Sequence, residues 1–144
     1  MALGAINHLG LTVTNLQKSK EFYAPIFQFL GYQNTGDLPS VSLWESVSTG
    51  SAVNLWQAKP EWVEHNHNDY APGLHHLAFN AESKQEVDDF YQLLLSLKVN
   101  IVDIPSEYEY APGYYAVFFS DPDGIRIELA HIPGLKFCCG NKVK

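Results

Sequence analysis

Three side chains of types that hold a divalent metal stand in related positions of this chain: His8, His76 and Glu128. Two neutral imidazoles and a carboxylate bind such an ion and leave coordination positions open for water or substrate. Their positions tie them together. Side chains alternate along a strand, so parity sorts each strand into two faces. In the first apolar stretch Leu9, Leu11 and Val13 share one face, and His8, Gly10 and Thr12 the other. Further on, Leu77, Phe79 and Ala81 oppose His76, Ala78 and Asn80; near the end, Ile125, Ile127 and Leu129 oppose Arg126, Glu128 and Ala130. Two sheets curved toward each other would gather the three ligand-type residues across a cup. A lone strand histidine is more often a hydrogen-bonded structural residue, so the matched phase of all three carries the reading.

Other residues bear on the same cup. Arg126, the chain's one arginine, shares the face of Glu128. A guanidinium there can clamp a substrate carboxylate or phosphate in two-pronged fashion, or form a structural ion pair. Glu45 shares a face with Val41, Leu43 and Val47, which would let it act as a general base. The opposite phase, with Trp44 inward and Glu45 in solvent, is the favoured one. Tyr108, Tyr110, Tyr114 and Tyr115 crowd the Pro112-Gly113 break. Tyr115 is a candidate substrate contact there, although core packing is the commoner use of such aromatics. His65 and His67 read as solvated, and His75 and His131 fall on the wrong phase for the cup.

The elements that must position these residues come twice. A strand over 6–13 leads to a helix capped at Thr14 or Asn15, with Leu16, Phe22, Tyr23, Ile26, Phe27 and Leu30 at helical spacing before Gly31. Pro25 inside it is expected to kink or shorten the helix. Strands are expected over 32–35, 41–47 and 52–58, followed by a polar, unperiodic segment, 59–72. The series then restarts: a strand over 73–81, a helix with Ser83 and Glu86 as a capping box, and strands over 100–104, 114–120 and 125–131. Asp121-Pro122-Asp123-Gly124 is a strong turn signal between the last two. His8 and His76, Phe22 and Phe90, and Tyr23 and Tyr91 are each 68 apart, an unchanged offset across strand and helix that marks a duplication. The fold class expected is α+β, with two βαβββ modules at about 5–59 and 73–133, a linker between them and a tail over 134–144.

Composition bounds the rest. With 144 residues, 46% hydrophobic and 17% charged, the chain suits a single packed domain. A net charge of −7 argues against nucleic acid or an anionic membrane as partner. The start MALGAINHLGLTV lacks the pattern of a signal peptide, and no apolar run reaches the roughly 20 residues of a membrane span. Cys138 and Cys139 are neighbours and form no disulfide framework. A cytoplasmic protein is expected.

INHLGLTV, SKEFYAPIFQFLGY, GLHHLAFNA and YYAVFFSDPDGIRIELAH together resemble the vicinal oxygen chelate superfamily, which includes glyoxalase I, extradiol dioxygenases, fosfomycin-resistance and bleomycin-binding proteins. The resemblance covers residues 5–133, and its most specific element is a DPDG turn followed by a strand bearing glutamate. It implies a curved, barrel-like mixed sheet with helices outside, a divalent ion (Mn²⁺, Fe²⁺, Ni²⁺ or Zn²⁺) on His8, His76 and Glu128, and a homodimer. In the family the cup closes either within a chain or between chains, and a linker of about 14 residues, spanning about 45 Å, permits both. Glyoxalase I adds a fourth ligand on the last strand of the first module. Matching Gly50 to Gly124 puts Asn54 there, whereas matching Pro60 to Pro133 puts Leu55; neither is the usual Glu or Gln, and Asn54 is otherwise a substrate contact. The function implied is a metal-dependent enzyme chelating a small oxygen-rich substrate, with a metal-free pocket that sequesters a small molecule as the alternative.

Overall fold

The protein is described by a computed structural model covering residues 3–134; Cys138, Cys139 and nearly all of the expected tail lie outside the described residues. The chain runs β1 (His8–Val13), α1 (Leu16–Phe29), β2 (Tyr32–Leu38), β3 (Val41–Ser46), β4 (Ala52–Gln57), β5 (Leu77–Asn80), α2 (Lys84–Ser96), β6 (Asn100–Glu107), β7 (Tyr115–Ser120) and β8 (Arg126–His131). Each module makes its own four-stranded mixed sheet, ordered β1-β4-β3-β2 and β5-β8-β7-β6. β1 is parallel to β4 and β5 to β8, and the other neighbours are antiparallel. The duplicated α+β unit is therefore as expected, but the two sheets remain separate and do not close into a barrel.

Local sequence explains the elements. Asn15 and Ser83 cap the helices, accepting hydrogen bonds from the backbone N–H groups of Lys18 and Glu86. Contrary to expectation, α1 runs unbroken through Pro25. An internal proline costs about 3 kcal/mol. Burying Tyr23, Ile26 and Phe27 completely returns about 1.5–3 kcal/mol each, so packing outweighs the lost backbone bond. β2 runs to Leu38, past the expected Thr35, through a bulge between Asn34 and Gly36. β6 extends to Glu107 through Pro105, which is tolerated because β6 is an edge strand. β5 begins only at Leu77 rather than Gly73, so residues 73–76 still belong to the linker.

The helix-side faces of both modules merge into one core. Phe27 of α1 packs edge-on against Phe79 of β5 at 6.4 Å, and Phe29 lies 5.2 Å from Phe90 of α2. The DPDG turn locks the modules. Asp121 accepts hydrogen bonds from the backbone N–H of Asp123 and Ile125, and from the Tyr23 hydroxyl at 2.9 Å. Asp123 accepts from the backbone N–H of Thr14 at 3.0 Å. Gly124 closes the turn at φ +81°, where a side chain would be strained. Because the modules meet through their helix sides, the face of the first sheet that carries His8, Gly10 and Thr12 stays open to solvent.

Candidate functional site

The opposite face of the second sheet builds the site. Register places Ala78, Glu128 and Phe118 in one row across β5, β8 and β7. Over that row lies a cavity of about 430 Å³, walled by His75, His76, Tyr108, Tyr114 and Arg126. Tyr108 stacks on Tyr110 at 5.8 Å and meets Phe118 edge-on, giving the cavity an aromatic side.

At its floor Glu128 is fully buried. Its Oε1 accepts a hydrogen bond from the Tyr114 hydroxyl, while its Oε2 has no hydrogen-bond partner. His76 Nε2 lies 3.3 Å from that Oε2 without the alignment of a hydrogen bond. Burial pushes the Glu128 carboxyl above the ordinary carboxylate range, and the Tyr114 bond and the nearby His76 oppose the rise. Burial, then the bond to Glu128, raises the Tyr114 phenol. An orphaned buried carboxylate oxygen beside an imidazole nitrogen is a costly arrangement unless a cation or proton joins them. Donors about 2.0–2.2 Å from a shared metal lie about 3–3.5 Å from each other, so the pair fits such an ion.

His8 does not join this pair within one chain. It is exposed on the first sheet and hydrogen-bonds only its neighbour Asn7, at 2.8 Å, among the described residues. No three His, Cys, Asp or Glu side chains among the described residues are grouped to hold a metal. Register sets His8, Ala52 and Glu45 in one row across β1, β4 and β3. Glu45 is exposed, and Trp44 is buried on the helix side, donating its indole N–H to Ser42 Oγ at 2.9 Å. Asn54 pairs with Gly10 on the His8 face, whereas Leu55 is fully buried in the core.

Arg126 is not free. Its Nε lies 3.1 Å from Asp69 Oδ2, and the other Asp69 oxygen lies 3.2 Å from His67 Nε2. The linker thus reaches the cavity wall at Arg126 and places a carboxylate on the guanidinium. His67, expected in solvent, is instead mostly buried. His75, assigned to the wrong phase, lines the cavity and meets His76, because strand alternation does not extend to residues before Leu77. His131 faces away, its ring 3.2 Å from the Ala81 carbonyl.

Tyr115 sits outside the cavity. It shares the apolar phase of Val117 and Phe119, donates to Asp88 of α2 at 2.7 Å, and packs under Lys84. That bond pushes its phenol up to about 12. The tyrosine that reaches Glu128 is its neighbour Tyr114, and pairing of Phe118 with Glu128 was the parity signal that could have identified it.

Comparison with known proteins supplies the context. Residues 5–129 match the family model described as the Glyoxalase/Bleomycin resistance protein/Dioxygenase superfamily. The uncharacterized protein YqjT of Bacillus subtilis is 32% identical, with 86% of this chain and 96% of that protein covered. A metallothiol transferase, FosB, of Lysinibacillus sphaericus is 30% identical, covering 89% of this chain and 82% of its own. Among solved structures, a provisionally assigned glyoxalase from Bacillus halodurans superposes with a TM-score of 0.77 at 25% identity, covering 90% of this chain and 96% of that one.

Proposed function

The chain belongs to the glyoxalase/bleomycin resistance/dioxygenase superfamily, and from that premise we propose that it is a metal-dependent enzyme acting on a small, oxygen-rich substrate. His76 and Glu128 of one protomer, with His8 of a second copy, would hold the ion. The observation that carries the reading is the buried Glu128 Oε2, unpartnered and 3.3 Å from His76 Nε2. Module exchange between two copies is favoured because the His8 face stays open in a single chain, with Glu45 exposed and Trp56 47% exposed. When bound, a divalent ion of the Mn²⁺, Fe²⁺, Ni²⁺ or Zn²⁺ class would act as a Lewis acid toward two neighbouring substrate oxygens.

The chain's own residues do the rest. Tyr114 donates to one Glu128 oxygen and leaves the other for binding. Arg126, once Asp69 withdraws, would grip an anionic group of the substrate with its planar fork. Glu45 and Asn54 share the His8 face, so an exchanged dimer would add them to the opposite wall, Glu45 as proton acceptor and Asn54 as a polar contact. The metallothiol transferases among the relatives make thiol addition to a small electrophile the reaction to assay first.

The competing reading is a pocket that only sequesters a ligand, which the aromatic side of the cavity would serve. Metal analysis separates the two. Purified protein should bind about one divalent ion per chain, and alanine at His8, His76 or Glu128 should each reduce that stoichiometry. Unchanged binding in all three variants, or a wild-type protein that takes up no ion, would remove the enzyme reading.

A further inference from the structure

A second carboxylate, that of Asp103 on β6, stands on the cavity wall. It takes part in none of the ion pairs among the described residues. Register sets it in the row of Glu128: Glu128 pairs with Phe118, and Phe118 with Asp103. Neighbouring strands are about 4.8 Å apart, so the two acids sit on backbones about 10 Å apart, with Phe118 between them. A bulge brings Asp103 to this face. Ile101 pairs with Phe119, which is buried against Phe90 of α2, and simple alternation would send Asp103 to that same helix side. The register shift between Ile101 and Asp103 inserts one residue and turns the acid onto the cavity face.

Charge around the cavity is unevenly answered. Arg126, the one arginine or lysine in the lining, already faces Asp69 at 3.1 Å. Asp103 at the exposed rim has no such partner, and Glu128 keeps one oxygen unpartnered at the buried floor. Aromatic rings lie between the two acids. Tyr108 meets Phe118 edge-on at 5.5 Å and stacks on Tyr110 at 5.8 Å. Burial raises the Tyr108 phenol, and the negative charges of Asp103 and then Glu128 raise it further. A carboxylate beside tyrosine rings attracts an organic cation, both by charge and through the ring quadrupoles.

We propose that Asp103 is a specificity-determining residue, selecting a substrate that carries an ammonium group at the end remote from its metal-binding oxygens. The proposal rests on the metal reading for where those oxygens lie, whereas the attraction of Asp103 for an ammonium needs no ion. An anionic group of the same molecule would meet Arg126 on β8, two strands from Asp103 on β6, so the two grips do not compete.

The test uses full-length protein and three catechols, each offering two neighbouring oxygens. Dopamine adds an ammonium, ethylcatechol is its neutral counterpart, and dihydroxyphenylacetate is an anion. Calorimetry without air measures binding to metal-free and Zn²⁺-loaded wild type, Asp103→Asn and Asp103→Lys. Wild type should hold dopamine about fivefold tighter than ethylcatechol, and the ratio should shrink as salt is raised. Asp103→Asn should bring the ratio to about one, and Asp103→Lys should turn the preference to dihydroxyphenylacetate. Because Asp103 is exposed, both variants should melt as wild type does. No measurable dopamine binding, a wild-type ratio near one, or a ratio that Asp103→Asn leaves unchanged would overturn the inference. If the ratios behave as stated but Zn²⁺ tightens none of the three probes, the role of Asp103 stands and the metal reading falls. If Zn²⁺ tightens all three without a preference for the ammonium, the role of Asp103 falls alone.

Discussion

Asn54 occupies in the first module the place that Glu128 occupies in the second. Gly10 pairs with Asn54 across β1 and β4, Ala78 pairs with Glu128 across β5 and β8, and Gly10 and Ala78 are 68 residues apart, the offset of the duplication. An uncharged amide therefore stands where the duplicated partner has a carboxylate. Asn54→Ala should leave ion stoichiometry unchanged and cost far less affinity than the about 10–100-fold typical of residues that support a metal ligand. Asn54→Glu should tighten binding by adding a charged donor. Isothermal titration with Zn²⁺ or Mn²⁺ checks both, and loss of the ion in Asn54→Ala would make Asn54 a required ligand.

Glu128 should be a stability liability that function retains. Its folded-state carboxyl titrates above the ordinary range because of burial. Below its ordinary pKa it is protonated folded or unfolded and costs nothing. As pH rises above the ordinary value, the unfolded chain ionises while the buried carboxyl keeps its proton, so stability falls until the raised folded value is passed and then levels off. Metal-free Glu128→Gln should accordingly melt higher than wild type at neutral pH, with the gap closing as pH falls, and should bind no ion. A lower melting temperature at neutral pH would mean that the charge is compensated in the free protein.

Arg126→Lys should take up metal normally and lose affinity for small anions such as a phosphonate, because an ammonium cannot reproduce the two-pronged contact. Asp69→Asn should do the reverse and bind the same anion more tightly, since the competing carboxylate at 3.1 Å is gone. Equal losses of folding stability and binding in both variants would make the pair purely structural.

Tyr23→Phe should destabilise the fold by about 1–3 kcal/mol by leaving a buried Asp121 oxygen without its donor. Burial already raises the Asp121 carboxyl, and the Tyr23 bond works against that rise. The loss should therefore be largest where Asp121 is ionised and shrink in acid. Denaturant melts at two pH values measure it; a difference near zero would show that water replaces the hydroxyl.

How much of this was legible follows from the range of each interaction. Alternation and the constant offset of 68 found the strands, the helices and the faces of His8, Leu11, Glu128 and Ile127, because those depend on local periodicity. Pro25 misled because its penalty is local, whereas the burial of Tyr23 and Phe27 that overrides it involves residues far along the chain. The contacts of Asp69 with Arg126, Tyr114 with Glu128 and Tyr115 with Asp88 join residues 57, 14 and 27 apart. No spacing rule announces the Asp69 and Tyr115 pairs; Tyr114 shares the parity of Phe118, but choosing it over Tyr115 needed the register of β7 on β8. The choice between Asn54 and Leu55 needed the strand register itself.

Mixing His8→Ala chains with Glu128→Ala chains tests most directly whether one site draws on two copies. In a mixed dimer with exchanged modules, one site carries both substitutions and the other carries neither. Each variant alone should therefore bind little metal, and the mixture should regain up to about one bound ion per mixed dimer, read by metal analysis after gel filtration. No recovery in a mixture shown to contain mixed dimers, or a wild-type protein that sediments as a monomer at micromolar concentration, would contradict a shared His8, His76 and Glu128 site.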